Sequence, residues 1–246
     1  MKFYRFTALM LLLASLSGCV YLDIAAQDTA IPIYPEKVSG AIYFSSGINL
    51  NDTYIDIDDP EENEDITTAV MANYKVGFGI NEKTDLIVNV GQTNGHGNRY
   101  GGYKYESEQY EAGIKYLLKQ DGNSYWSVLP SMYLVRGKYR DADPNNLRDD
   151  VYTVTGLEGH FLYSYLFGEH LCTSLIGRGS VNRIQRTRFG NDLDTQTTFH
   201  YGARANLRLS VWNLYQTTEF GFEVIPVVNG NTQVVSNLSA GLGLKF

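Results

Sequence analysis

Apolar and polar residues alternate along most of this chain with a period of two. In the segment ITTAVMANYKVGFGI, Val70, Tyr74 and Phe78 share one face, whereas Asn73 and Lys75 lie on the other. A period of two indicates a β-strand, because successive side chains of a strand point to opposite faces. The alternation runs from residue 66 to residue 80, which is long for a strand of a globular protein.

The same alternation recurs in ten segments, so the pattern predicts ten strands. They lie near 37–50, 66–80, 86–94, 103–118, 125–136, 151–166, 171–183, 197–211, 216–228 and 234–246. Short connections near 81–85, 119–124, 167–170 and 212–215 alternate with longer polar ones near 51–65, 95–102, 137–150 and 184–196, with a shorter one at 229–233. Short turns at one end and longer loops at the other are typical of membrane barrels. We therefore predict an all-β fold, an antiparallel up-and-down transmembrane β-barrel of about ten strands, with eight or twelve as alternatives.

Aromatic residues next to the predicted short turns support this fold, because membrane proteins concentrate aromatic side chains at the membrane boundary. They are Phe78, Tyr116, Trp126, Tyr165, Trp212 and Phe246. A soluble sandwich also has two-faced sheets and is the alternative. The strand length and the aromatic belt favour the barrel.

The N-terminus reads MKFYRFTALMLLLASLSGC: two basic residues, a short apolar core and small residues. This pattern is typical of a secretory signal and is too short for a spanning helix. Leu16-Ser17-Gly18-Cys19 resembles a bacterial lipobox. The resemblance implies cleavage before Cys19, a diacylglycerol on its sulfur and an acyl chain on its amine, and Val20 implies sorting to the outer membrane. An ordinary signal peptide with an incidental cysteine is the alternative.

The C-terminus alternates apolar residues from Leu238 to Leu244 and ends in Phe246. This ending resembles the signal by which the barrel assembly machinery recognises outer-membrane proteins of Gram-negative bacteria. The chain is also similar to solitary autotransporter-like barrels, although those are expected to have twelve strands and this pattern gives ten and no passenger domain. We predict a signal peptide over 1–18, a periplasmic tether over 19–36 and a barrel over 37–246.

Charge and cysteine content narrow the list of partners. Loss of Lys2 and Arg5 with the signal leaves 18 of the 20 basic residues against 27 acidic ones, a formal charge of about −9. An acidic balance argues against a nucleic-acid partner. With Cys19 acylated, Cys172 has no disulfide partner, and we predict that it is a small packing residue.

Charged residues on the inner face of the last strands are candidates for luminal ion pairs. A turn at Asn213-Leu214 pairs Trp212 with Tyr215, so that opposed residue numbers sum to 427. This register places Arg208 opposite Glu219 and Arg204 opposite Glu223, and opposite charges across a strand pair stabilise one another. Such pairs either fill and close a narrow barrel or line a selective passage.

A second luminal group follows from the turn at Gly168-Glu169, which places His160 opposite Arg178 with Glu158 on the same face. A carboxylate, an imidazole and a guanidinium can handle protons. Inside a barrel they more often form a satisfied polar network.

An enzyme at the barrel rim is a weaker hypothesis. His200 is predicted near that rim, with Asp149, Asp150 and Asp192 in neighbouring loops, but the chain has no GxSxG or HExxH motif to supply a nucleophile or metal site. We predict no catalytic residue.

Two acidic loops could hold a divalent cation. Segment 56–65 contains seven carboxylates, and Asp141, Asp143 and Asn145 alternate as calcium ligands do. The sixth and twelfth loop positions, Asn146 and Tyr152, depart from the calcium pattern. The pattern therefore favours a solvated loop, with a bound calcium ion as the alternative.

The sequence as a whole predicts a lipid-anchored outer-membrane barrel that is not an enzyme and serves as a surface binding or structural component. A narrow, porin-like channel through a charged lumen and a rim enzyme acting on envelope lipids or peptides are the alternatives. Apart from the lipid on Cys19 no cofactor is expected. The expected partners are outer-membrane lipid and lipopolysaccharide. Arg183, Arg186 and Arg188 form a basic cluster that either contacts lipopolysaccharide phosphates or is simply solvated.

Overall fold

The computed structural model describes residues 31, 40–53, 68–97, 103–141, 149–188, 191–212, 214–226 and 232–245. Within these ranges the chain forms ten β-strands. They are β1 (Gly40–Thr53), β2 (Thr68–Asn81), β3 (Thr84–Gly97), β4 (Tyr103–Asp121), β5 (Ser124–Asp141), β6 (Asp149–Phe167), β7 (Leu171–Arg188), β8 (Asn191–Val211), β9 (Leu214–Pro226) and β10 (Thr232–Lys245). In the same ranges no helix has the length and apolar character needed to cross a membrane.

The strands form a closed antiparallel barrel with up-and-down topology. Each strand pairs with its neighbours in sequence, and β1 closes the ring by pairing with β10 from Ala41 opposite Lys245 to Thr53 opposite Val234. The all-β class, the topology and the prediction of ten strands are confirmed. The alternatives of eight and twelve strands are not observed.

One end of the barrel carries the tight turns, and we call it the short-turn end; the opposite end is the long-loop end. The turns β4–β5 and β6–β7 contain Gly122 with φ of 56° and Gly168 with φ of 67°. Glycine is favoured there because a side chain clashes with the backbone in this left-handed conformation. The start of β1 and the end of β10 also lie at the short-turn end, since Gly40 is opposite Phe78 and Lys245 is opposite Ala41.

The strands extend further toward the long-loop end than the apolar pattern predicts. The long loop predicted at 184–196 is wrong, because β7 continues to Arg188 and β8 begins at Asn191. Strands also replace parts of the loops predicted at 95–102 and 137–150, because β3 continues to Gly97, β5 continues to Asp141 and β6 begins at Asp149. Apolar alternation identifies only the part of a strand that has one apolar face, whereas backbone hydrogen bonding between strands continues through polar residues.

The distribution of residues over the two faces is inverted relative to a soluble barrel. The described residues that are buried in the lumen are mostly polar or charged, and large apolar side chains such as Met132, Leu157 and Phe199 are more than half exposed on the outside. Toward the short-turn end the outer face is aromatic. Trp126 packs against Tyr163 with their ring centroids 4.4 Å apart. The predicted aromatic belt is therefore present, although Phe246 lies outside the described residues.

Tyrosines lie over glycines at three places on the inner face. Tyr133 faces Gly156, Tyr152 faces Gly137 and Tyr215 faces Gly243 across neighbouring strands. A Cβ added to any of these glycines would lie 2.0–2.5 Å from the opposing tyrosine ring. Because glycine has no side chain, the tyrosine rings have room to lie along the wall of the barrel. In that position each ring covers the strand backbone that the glycine leaves uncovered.

Candidate functional site

Glu158, His160 and Arg178 lie together on the inner wall of β6 and β7. His160 is directly opposite Arg178, as the turn at Gly168-Glu169 predicts. Arg178 Nη2 donates a hydrogen bond to Glu158 Oε2 at 2.6 Å, and His160 Nε2 contacts the other carboxylate oxygen of Glu158. All three residues are 5% exposed. The predicted grouping is therefore present, while its functional role stays a prediction.

The predicted register of β8 and β9 is wrong by two residues. Opposed residue numbers sum to 425, so Arg204 is opposite Gly221 and Arg208 is opposite Thr217. The turn begins one residue earlier than predicted, because Trp212 adopts a left-handed φ of 55° that is uncommon for a tryptophan. A shift of two preserves the faces, so the side chain of Arg204 still points inward.

The predicted ion pairs change accordingly. Arg204 reaches diagonally to two carboxylates, with Nη1 3.2 Å from Glu219 and Nη2 3.6 Å from Glu223. The stem of Arg204 occupies the space over Gly221, where a Cβ would lie 2.4 Å from Arg204 Cγ. The guanidinium of Arg208 lies 5.6 Å from the ring centroid of Tyr215, a distance typical of a cation–π contact. Arg208 is thus not the cross-strand partner of Glu219, whose opposed residue is Asn206.

Glu223 joins the two predicted groups into one. It accepts a short hydrogen bond from Arg178, lies 3.6 Å from Arg204 Nη2 and lies 3.3 Å from His200 Nδ1. Carboxylates and guanidiniums therefore alternate across four strands, and each guanidinium lies between two carboxylates. We call this set the lumen network: Glu158, His160, Arg178, His200, Arg204, Glu219 and Glu223.

Apolar clusters lie on both sides of the lumen network along the barrel. Leu129, Leu162 and Ile176 belong to a cluster nearer the short-turn end, whereas Val135 and Val154 belong to one nearer the long-loop end. On β6, Glu158 and His160 come between Val154 and Leu162 in the inward-facing series. With apolar side chains on both sides and little exposure of their own, the charges of the network depend on one another for stabilisation.

A separate ion pair lies near the short-turn end. Lys115 Nζ is 2.8 Å from Asp85 Oδ2, and both side chains are nearly fully buried. Lys115 also donates a 2.9 Å hydrogen bond to the backbone oxygen of Ile31. The N-terminal segment thus contacts the inside of the barrel at this position. The remainder of the predicted tether over 19–36 lies outside the described residues.

The predicted rim site for an enzyme is not assembled. His200 is buried in the lumen, 3% exposed, and its Nε2 lies 3.1 Å from Thr198 Oγ1. Asp149 and Asp150 begin β6, and Asp192 is in β8 rather than in a loop. Asp192 is eight residues from His200 on the same strand, a separation of about 27 Å at 3.4 Å per residue.

The other predicted sites fall partly outside the described residues. This applies to Cys19, to the acidic segment 56–65, and to the side chains of Asp141, Asp143 and Asn145. Within the described ranges no group of three His, Cys, Asp or Glu side chains is placed to hold a metal ion. Cys172 is a free, buried cysteine, which agrees with the predicted packing role.

Sequence reasoning missed three features of the lumen. The contact of His200 with Glu223, the pair Asp85–Lys115 and the tyrosines over glycines were not predicted. Asp85 is opposite Lys115 across β3 and β4, which a long loop connects, so no tight turn sets their register. The glycine content was a usable signal, because an inward glycine opposite an inward tyrosine marks such a packing.

Comparison with known proteins gives a likeness of fold. No protein-family model matches the chain, and no curated protein matches it. Among solved structures, it is similar to the translocator domain of the autotransporter NalP from Neisseria meningitidis, with 11% identity, coverage of 87% of this chain and 90% of that chain, and a TM-score of 0.49. Neisserial surface protein A is 16% identical, with coverage of 86% of this chain and 100% of that chain and a TM-score of 0.40. The outer membrane protease OmpT from Escherichia coli is 11% identical, with coverage of 86% of this chain and 97% of that chain and a TM-score of 0.45. These structures are bacterial outer-membrane β-barrels, and similarities at such identities and TM-scores assign no activity to this chain.

Proposed function

We propose that this chain is an outer-membrane β-barrel with a closed lumen, which acts through its long-loop end and outer surface as a binding or structural component. The inverted distribution of residues supports membrane insertion. Ile114, Phe161 and Phe220 are about half exposed on the outer face, and so broad an apolar exterior is unfavourable in water and favourable in a bilayer. The short-turn end would face the periplasm.

The lumen network carries the proposal of a closed lumen. Arg178 and Glu158 are each 1% exposed at the side chain, and Glu219 is not exposed at all. Side chains from four adjacent strands meet there, and a barrel of this size is narrow enough for side chains to fill. A passage for solutes would need these groups to part.

Lipid attachment at Cys19 is part of the same proposal. Lys115 contacts the backbone of Ile31, twelve residues after Cys19, and this contact near the short-turn end supports the proposed tether. Twelve extended residues span about 40 Å, which is sufficient to reach the inner leaflet. Labelling with radioactive palmitate should mark the native protein and should fail with Cys19→Ala. Labelling of both, or of neither, would contradict the anchor.

Single-channel recording in a planar bilayer tests the closed lumen. We expect no conductance from the refolded native barrel and discrete steps from the double variant Arg178→Ala, Glu223→Ala, which removes one charge of each sign. The control is Lys119→Ala, Asp121→Ala, an ion pair of 3.1 Å at an exposed turn, and it should stay silent. Conductance of the native protein equal to that of the double variant would refute the proposal.

A narrow water-filled passage is a second candidate, favoured by the wall opposite the network. Both amide atoms of Asn73 and Nε2 of Gln109 are buried without a hydrogen-bond partner in the described part of the chain. Buried polar atoms of this kind are usually satisfied by water. If the native barrel conducts, Glu111→Gln on this wall should lower its preference for cations. That the chain is not an enzyme stays a prediction.

A further inference from the structure

The outer face of the barrel has an apolar groove that extends from β3 to β8, with a volume of about 830 Å³. Ala112 lies at the floor of the groove, because its small methyl group leaves a depression between the larger side chains of Val88 and Met132 on the neighbouring strands. Leu157 and Val181 continue the lining. The volume is within the roughly 300–1,000 Å³ range of ligand pockets. We call this feature the outer groove.

The long-loop end of the outer groove is polar and carries a cation. Arg183 is exposed there, directly opposite Thr155 on one side and Thr197 on the other. No carboxylate of the described residues lies within ion-pair distance of Arg183. The neighbouring exposed cations differ, because Arg136 is directly opposite Glu108.

These two features match the two parts of a phosphorylated lipid. An acyl chain is complementary to the apolar lining around Ala112. A guanidinium binds phosphate oxygens through two parallel hydrogen bonds, and the hydroxyls of Thr155 and Thr197 are the adjacent donors. A lipid without an anionic headgroup would fill the groove but would leave Arg183 uncompensated.

We propose that the outer groove binds one molecule of lipid A, the phosphorylated acylated anchor of lipopolysaccharide, with an acyl chain over Ala112 and a phosphate on Arg183. The choice of this lipid rests on the proposed function, since the long-loop end meets the outer leaflet only in that orientation. Annular lipid would contact the whole apolar belt, whereas this site has a defined centre and a defined headgroup contact.

Native mass spectrometry of the refolded full barrel in detergent, titrated with purified diphosphorylated lipid A, tests the site. The native protein should retain one lipid A. Arg183→Gln should weaken binding about tenfold to a hundredfold, as expected for a lost charge-assisted hydrogen bond. Ala112→Phe should weaken it at least about tenfold by filling the groove. The matched controls are Arg136→Gln and Ala205→Phe, an exposed alanine on β8, and both should bind as the native protein does.

Three outcomes would overturn the proposal. They are equal weakening by Arg136→Gln, equal weakening by Ala205→Phe, and equally tight binding of phosphatidylglycerol, which would indicate general attraction of anionic lipid. The assay does not depend on whether the lumen conducts. Failure of the native barrel to insert into lipid vesicles would refute membrane insertion separately, so the two failures are distinguishable.

Discussion

Replacement of Arg178 by methionine is the most direct test of the lumen network. Arg178 lies between Glu158 and Glu223, and it donates a hydrogen bond to each. Methionine keeps much of the side-chain length but removes the charge and the donors. Two buried carboxylates then remain on opposite sides of an apolar side chain, and Glu158 loses its only described guanidinium partner.

The expected cost follows from the burial of these groups. Glu158 and Glu223 are 1% and 3% exposed at the side chain, so solvent cannot replace the lost guanidinium. Breaking one partner out of a buried ion pair costs about 3–5 kcal/mol, or a factor of about 10²–10⁴ in the folding equilibrium. The triple variant Arg178→Met, Glu158→Gln, Glu223→Gln removes the excess charge and leaves Arg204 paired with Glu219 at 3.2 Å. It should recover to within about 1 kcal/mol of the native protein.

Reversible urea unfolding in detergent, followed by the fluorescence of the two tryptophans, measures these free energies. The control is Lys119→Met, whose partner Asp121 is 3.1 Å away and 72% exposed. An exposed pair of this kind contributes less than about 1 kcal/mol. A loss of less than about 1 kcal/mol for Arg178→Met, or a triple variant no more stable than the single one, would refute the interdependence of the buried charges.

Three further predictions address packing, the membrane-facing surface and the lumen. Gly156→Ala should lower the free energy of unfolding by about 1–3 kcal/mol, because the new Cβ would lie 2.5 Å from the ring of Tyr133; Gly159→Ala, with no atom within 4 Å, should change it by less than about 0.5 kcal/mol. Ile114→Arg should cost about 2–4 kcal/mol in lipid vesicles, and a neutral result there would contradict a membrane position for this residue. Cys172, 1% exposed, should react with a bulky maleimide only after unfolding in urea, and rapid labelling of the folded barrel would show an open lumen.

The fold was predictable because its signal is periodic and repeated. Alternation over fifteen residues, as at 66–80, predicts a strand for each segment, and four of the nine connections between the ten strands are predicted as short turns. The ends of the strands were not predictable in the same way. The predicted loop at 184–196 contains no apolar alternation, yet Ile184 pairs with Gln196 and Arg186 with Asp194. Backbone hydrogen bonds sustain that ladder, and the side-chain pattern does not report them.

The site was predictable only where a turn fixes the register. The turn containing Gly168 is marked by its glycine, so the pair His160–Arg178 follows from the sequence. The turn at Trp212 has no such mark, since a tryptophan at positive φ is not expected, and the predicted partners shift by two residues. The contact between Arg178 and Glu223 crosses two strand pairs. It depends on how far two long side chains extend across the lumen, which strand periodicity does not encode.

The seam between β1 and β10 has a consequence for how the barrel is made. Nine of the ten strand pairings join neighbours in sequence and can form as the chain emerges, whereas this one joins residues about 200 positions apart. Until it forms, both end strands expose unpaired backbone groups, which are prone to pair with other chains. Closure of a long loop is also entropically costly and slow. The barrel is therefore completed only when β10, the last of the ten strands in chain order, pairs with β1. A chain truncated before Thr232 would retain two open edges however well its other strands had paired.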